Sequence, residues 1–364
     1  MIKYLSKLPS EDARLPRRSF LGVGAALAVA AGVPATAATP QSRPIKAGFL
    51  GVAYSHFREK HRLLRGSTDF ELIGLCEEDP AVRAEWQENS RWISRETLFA
   101  EAEVVFVESA VKDHARHAVA ALEAGRHVHV EKPPADNWAD FQRMVGLARD
   151  RQRVFQVGYM WRYNPGLKLA LEAARDGYLG RVYLVRATMN TMADAAQRKQ
   201  WAQFPGGAMF EQGCHLIDGV VRLLGKPSKV TSHLQHAGEF DDTLADNTVA
   251  VFEYPSALAL ITSAPLQPNA GPRRFFEILG THGTARVQPL EPPDLVIDLE
   301  RAAGPYRGGT QTVTLPEYKR YRDEFTALAG AIRGAHPLPV TLDQESEIQS
   351  TLLEACRRSK GVGP

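Results

Sequence analysis

Through the first half of the chain, short runs of aliphatic and β-branched residues alternate with stretches that repeat at helical spacing. The runs Ile45 to Leu50, Phe70 to Cys76, Val104 to Ser109 and His127 to Val130 predict strands, with a further one near Trp92 and a sixth at Val154 to Val157. Between them, Ala118, Val119, Ala121 and Leu122 recur at helical spacing within His114 to Ala124, where Gly125 stops the run, and Trp138 to Arg149 repeats the pattern. Strands and helices alternating over short connections predict a doubly wound parallel α/β sheet. The pattern then changes. Arg181 to Met189, Asn247 to Tyr254, Leu258 to Ser263, Arg274 to Leu279 and Leu295 to Leu299 read as strands of an open, mainly antiparallel sheet, and Tyr318 to Arg333 and Asp343 to Arg358 as closing helices. Residues 301–310, rich in glycine, read as a loop. The chain so divides into an N-terminal segment at 1–38, a first α/β domain at 39–158 and a second α/β domain at 159–364 with its closing helices within 318–359.

The fourth strand stops at Glu131-Lys132-Pro133. Proline cannot donate to a ladder and drives the preceding residue out of the helical region, so Lys132 sits at a strand's carboxyl end, where open α/β sheets bind ligands. An ordinary surface ion pair would look the same in sequence. A nucleotide belongs at the first strand-to-helix turn, which reads GFLGVAYSH over residues 48–56. Against G-x-G-x-x-G the turn keeps Gly51, while Ala53 stands for the second glycine and His56 for the third. Glu77 follows the second strand, 26 residues after Gly51, at the spacing of an acid that binds a ribose diol. Glu78 and Asp79 come next, with no arginine nearby in sequence, so NAD is favoured over NADP.

A second constellation lies in GGAMFEQGCHLID, residues 206–218. On a regular helix Glu211, His215, Asp218 and Arg222 fall within roughly 60° of one another, and the flanks are apolar, so the helix is buried with one charged stripe. Glutamate and histidine four apart suit a base and the carboxylate that orients it. The same stripe also suits a buried structural salt bridge, or two ligands of a metal on one helix, but no third ligand is evident in the sequence.

With these motifs in order, the chain resembles the Gfo/Idh/MocA oxidoreductases. The resemblance runs from Ile45 to the C-terminus and rests on ALEAGRHVHVEKPP, VGYMWRYNP, the GG-x-M-F-E-x-G-x-H-x-x-D segment, YRDEF and AIRGAHPLPVT. It implies a Rossmann domain, a second domain whose open sheet mediates homo-oligomers, a nicotinamide cofactor and a carbohydrate substrate. Under it Gly51, Ala53, Tyr54, Ser55, His56, Glu77, Ser109, His114, Glu131 and Lys132 hold the cofactor. Lys132 also orients the substrate hydroxyl, with a pKa lowered by desolvation, and His215 takes the hydroxyl proton with Glu211 as its orienter. Glu211 departs from the aspartate usual in these dehydrogenases, which changes the hydroxyl geometry. Arg162 and Asn164 match a segment lining the substrate cleft, and Trp201 and Tyr321 are further substrate-side positions.

The N-terminus adds a compartment. Arg17-Arg18-Ser19-Phe20-Leu21 opens an apolar run to Ala38 that contains Ala35-Thr36-Ala37, which reads as a Tat signal with a cleavage site; an uncleaved membrane anchor is the rival. Loss of residues 1–37 removes five basic and two acidic residues and takes the formal charge from +2 to −1, so no basic surplus points to nucleic acid. Cys76, Cys214 and Cys356 are an odd set without metal spacing and read as free thiols. Tat cargo crosses the membrane folded, so the expectation is a soluble periplasmic or otherwise exported protein, carried by the Tat machinery with its nicotinamide already seated. Returning the hydride then means either sugar–sugar oxidoreduction or transient oxidation within an NAD-dependent glycosidase. A non-catalytic NAD-binding sensor or scaffold is the third class.

Overall fold

The computed structural model describes residues 43–86 and 90–357. The expected Tat signal lies outside the described residues, and so does the end of the last predicted helix. Among the described residues no helix is long and apolar enough to cross a membrane.

Five strands form a parallel sheet: β1 (Ile45–Leu50), β2 (Phe70–Cys76), β3 (Val104–Val107), β4 (His127–Val130) and β5 (Phe155–Val157), in the order β2-β1-β3-β4-β5. All four strand pairs are parallel. The helices between them are α1 (Phe57–Arg65), α2 (Pro80–Glu85), α3 (Arg95–Glu101), α4 (His114–Glu123) and α5 (Trp138–Asp150). The residues of β3, Val104 to Val107, are buried without remainder, as a strand covered by helices on both faces requires. The strand predicted near Trp92 is reduced to one parallel bridge between Trp92 and Leu75. From β1 the chain steps to β2 on one side and to β3 on the other, so the order reverses there and a crevice opens above the ends of β1 and β3.

Past β5 come α6 (Pro165–Arg175), β6 (Val182–Thr188), α7 (Ala195–Trp201) and α8 (Cys214–Leu224). Strands β7 (Lys229–Gln235), β8 (Asn247–Glu253), β9 (Leu258–Ser263), β10 (Phe275–Gly280), β11 (Gly283–Val287), β12 (Leu295–Leu299) and β13 (Gly309–Val313) join β6 in a second sheet, ordered β13-β12-β11-β10-β6-β9-β8-β7. The pairing is antiparallel except between β6 and β9. One face, with Val185, Ala250, Phe252, Ile261, Phe276 and Ile278, is buried, and α6 and α8 pack on this sheet. Sequence reading missed β11 and took the start of β13 for loop. The strand Gly283–Val287 is short and opens on glycine, and Gly309–Val313 is an exposed edge paired among the described residues only with β12. Helices α9 (Arg322–Ile332) and α10 (Leu342–Ala355) close the chain, and α10 packs on α5 and α8.

Candidate active site

At the first turn, Gly51 has φ +84°, and a Cβ there would lie 2.4 Å from the Cα of Ser109. Only glycine permits so close an approach of the two strand ends. The Gly51 amide bonds the Cys76 carbonyl at 2.8 Å. Ala53 and Ser55 are exposed at the lip of the turn, and the Ser109 hydroxyl is buried without a hydrogen-bond partner. Glu77 accepts the amides of Val52 and Asp79, both at 2.9 Å, which aims its carboxylate along the mouth of the turn. Beside it lies a cavity of about 380 Å³ lined by Glu77, Glu78, Arg83, Trp92 and Arg95. Folding therefore does bring arginines close, contrary to the sequence spacing. Arg95 pairs with Glu78 at 2.9 Å and is already engaged by an acid, and Arg116, outside the cavity lining, reaches the same carboxylate at 3.4 Å. A glycine turn without a Cβ, an unpartnered hydroxyl beside it and a fixed carboxylate fit a dinucleotide; Gly51, Ser109 and Glu77 would hold it, with α1 directing its amino end at the phosphates.

Lys132 follows the last ladder residue of β4, where Val130 pairs Val107 and Val157. It is buried, and its Nζ donates to the Glu211 carbonyl at 3.0 Å and to Glu211 Oε1 at 2.7 Å. The Tyr54 hydroxyl donates to the same Oε1 at 2.8 Å, and the Tyr54 ring lies 5.2 Å from the ammonium. Burial pulls the Lys132 pKa down, but the carboxylate of Glu211, together with Cys214 and Glu131, outweighs it and the net direction is up. The lowered pKa expected from sequence is thus corrected: Lys132 is a fixed ammonium. The same burial and carboxylate push the Tyr54 hydroxyl up, so it stays protonated and donating.

The helix carrying Glu211 and His215 is not regular. Met209–Gly213 form a π turn before α8 begins. The wider turn breaks the alignment of residues four apart, and the predicted stripe divides into two. Glu211 serves Lys132 and Tyr54, so it is not the orienter of His215. The His215 Nδ1 is buried with no hydrogen-bond partner among the described residues, and its ring packs against Trp161 at 4.9 Å and Tyr159 at 5.8 Å. Burial, with Lys132 and His56 adding to it, holds its pKa well below the ordinary range. Asp218 turns instead to Arg162, at 2.7 Å, with Arg222 at 3.6 Å.

Several substrate-side expectations are corrected in the same way. Arg162 is gripped by Asp218 and by both oxygens of Glu345, at 2.5 and 2.8 Å, and is nearly inaccessible, so it is a structural clamp. Asn164 caps α6, accepting the Leu167 amide at 3.0 Å, and donates to the Leu290 carbonyl at 2.7 Å. Trp201 packs with Ala193 and Leu244 in a small apolar cluster. Tyr321 lies against His56, with ring centres 5.5 Å apart, on the cofactor side. His114 faces the carbonyls of Pro133 and Ser109, each at 2.9 Å, and so staples two strand ends instead of lining the cofactor cleft. The residues missed in sequence are Tyr159 and Trp161, just ahead of the ones chosen in VGYMWRYNP: the Tyr159 hydroxyl and Trp161 Nε1 are buried without partners among the described residues, as is Glu211 Oε2. The signal was a polar handle on an otherwise apolar strand end.

The comparisons with known proteins agree with this architecture. Residues 45–159 match the profile described as an oxidoreductase family with an NAD-binding Rossmann fold, and residues 167–286 that of the GFO/IDH/MocA C-terminal domain. The chain belongs to the GFO/IDH/MocA oxidoreductase family. It is 27% identical over 273 residues to mouse trans-1,2-dihydrobenzene-1,2-diol dehydrogenase, covering 71% of this chain and 78% of that one. It is 23% identical over 336 residues to inositol 2-dehydrogenase of Salmonella typhimurium, covering 88% and 95%. The fold matches the crystal structure of the WlbA dehydrogenase from Bordetella pertussis, in complex with NADH and UDP-GlcNAcA, with a TM-score of 0.69 at 22% identity over 86% of this chain and 95% of that one.

Proposed function

We propose that this chain is an exported NAD-dependent oxidoreductase acting on a hydroxyl of a sugar or polyol, with the nicotinamide tightly held. One observation carries the substrate class. Glu211 Oε2, His215 Nδ1, the Tyr159 hydroxyl and Trp161 Nε1 are buried polar atoms without protein partners, gathered on the strand end and helix that bear Lys132's partner. Buried polar atoms cost free energy unless satisfied, so a ligand rich in hydroxyls fits them best. The relatives point the same way, inositol being a polyol. Export and retention of the cofactor rest on the twin-arginine leader in the sequence.

The nicotinamide, when bound, supplies the hydride acceptor. The ammonium of Lys132, held by Glu211 and backed by Tyr54, polarises the hydroxyl oxygen that loses its proton. His215, kept neutral by burial, accepts that proton and is held in place by its aromatic neighbours in the absence of a carboxylate orienter.

The test is the purified mature protein, inspected for nicotinamide absorbance and then mixed with free sugars, polyols and aryl glycosides. Bound NADH appearing with a free sugar or polyol supports the proposal. Release of aglycone without net NADH supports the NAD-dependent glycosidase, and bound nicotinamide with no response to either substrate class points to a sensor.

A further inference from the structure

Behind Glu131 lies a knot of ionisable side chains with no exposure: Lys60, Glu108, His129, Glu131 and Glu324. Lys60 belongs to the buried face of α1, with Phe57, His61 and Leu64. Its Nζ reaches Glu108 Oε1 at 2.8 Å and His129 Nε2 at 2.8 Å, and donates to Glu131 Oε1 in a still shorter contact. An ammonium has three protons, and here each has its acceptor. The three acceptor atoms lie within 4.8 Å of one another, two carboxylates and an imidazole, a donor set that zinc or cobalt accepts. Lys60 fills the middle of it.

The arrangement assigns the imidazole proton of His129. His129 Nε2 accepts from Lys60, so its proton is on Nδ1 and donates to Gln156 Oε1 at 2.9 Å. The Gln156 amide then donates to the Tyr163 hydroxyl at 3.0 Å. Glu131 looks outward with what remains. Its Oε2 accepts the Lys132 backbone amide at 2.9 Å, and its Oε1 lies 3.0 Å from His56 Nδ1. His56 and Lys132 are the turn of β1 and the end of β4, the two margins of the nucleotide crevice.

We infer that Lys60 is a positioning residue for the cofactor: its ammonium takes the place that a divalent cation fills in a metalloenzyme and, through Glu131, fixes the His56 imidazole and the Lys132 backbone at the edges of the crevice. Removing it would leave Glu108 and Glu131 buried without their shared counter-charge, and the turn would lose its tie to β4. The inference concerns binding of the nicotinamide and is independent of the sugar or polyol reading.

Three measurements test it, none of which needs a substrate. Lys60→Met is expected to bind NADH about 10- to 100-fold more weakly than wild type, the range for loss of a group that orients a site's ligands. Lys60→Ala is expected to take up one Co²⁺ per chain, with visible d–d absorption, and to regain NADH affinity when it does; wild type takes up none there. In wild type, nitrogen NMR of the imidazoles is expected to show His129 in the Nδ1–H form, assigned with a His129→Gln control. Wild-type NADH affinity in Lys60→Met overturns the inference, as does Co²⁺ uptake by Lys60→Ala without recovery of NADH binding. A His129 found in the Nε2–H form also overturns it, and that measurement decides even where neither Lys60 variant folds.

Discussion

At the scale of single residues, the site is built on one carboxylate with two donors. Glu211 holds Lys132 and Tyr54 through the same oxygen, and its longer side chain reaches both. Lys132→Met is expected to lower the rate of hydride transfer by about 10²- to 10³-fold, the usual cost of losing a preorganised donor to a developing oxyanion, with NADH binding preserved. Stopped-flow absorbance of the bound nicotinamide checks this. His215→Ala is expected to cost about 10²- to 10⁴-fold in turnover. Because burial holds His215 below its ordinary range, its inflection in the wild-type rate profile should lie below pH 6.5; an inflection at or above 6.5 that is lost in His215→Ala would contradict that burial.

At the scale of elements, the same short segments supply both chemistry and scaffolding, and neighbouring residues divide the work. In the segment after β5, Tyr159 and Trp161 pack their rings on His215 and keep polar atoms without partners among the described residues, while Arg162 and Asn164 anchor the protein to itself. Asn164→Ala removes an N-cap and is expected to lower stability by about 1 kcal/mol in urea unfolding, without changing KM. Arg162→Met strands Asp218 and Glu345 in the interior and is expected to cost about 3–5 kcal/mol. Gly51→Ala meets both a positive φ and the backbone of Ser109, so loss of NADH binding at retained secondary structure is expected, measured by fluorescence titration and circular dichroism.

At the scale of the molecule, buried titratable groups shape the response to pH. Burial, with the Lys60 ammonium nearby, lowers His129 to about 3, and burial lowers His117 and His127 to about 4. Below about 6.5 the unfolded chain binds protons that the folded one refuses, so this contribution is complete above that pH and lost toward pH 4. Glu324 runs the other way: burial raises it to about 8. Its contribution is complete below about 4.5, where the unfolded carboxylate is also protonated, and is lost as pH rises through 8. Thermal unfolding should therefore peak near pH 6.5, and Glu324→Gln should flatten the alkaline limb. A stability that climbs steadily from pH 7 to 9 would exclude a protonated Glu324.

The parallel sheet, its order of strands and helices, the glycine turn, Glu77 and the Lys132 strand end were legible in the sequence, because each follows from local chemistry: period, proline, glycine and the spacing of a turn. Even the buried Lys60 left a trace, standing in the apolar stripe of α1 between Phe57 and Leu64. What the linear order left open was partnership. Glu211 and His215 read as a pair from their spacing until a π turn set them apart, and Glu211 met Lys132 from 79 residues away. Arg162 read as a substrate group by its match to a cleft-lining segment, and its real partners Asp218 and Glu345 lie too far along the chain to be legible. Local sequence determines what a segment becomes; which buried charge faces which depends on long-range packing, and a buried charge takes its role from the partner that packing provides.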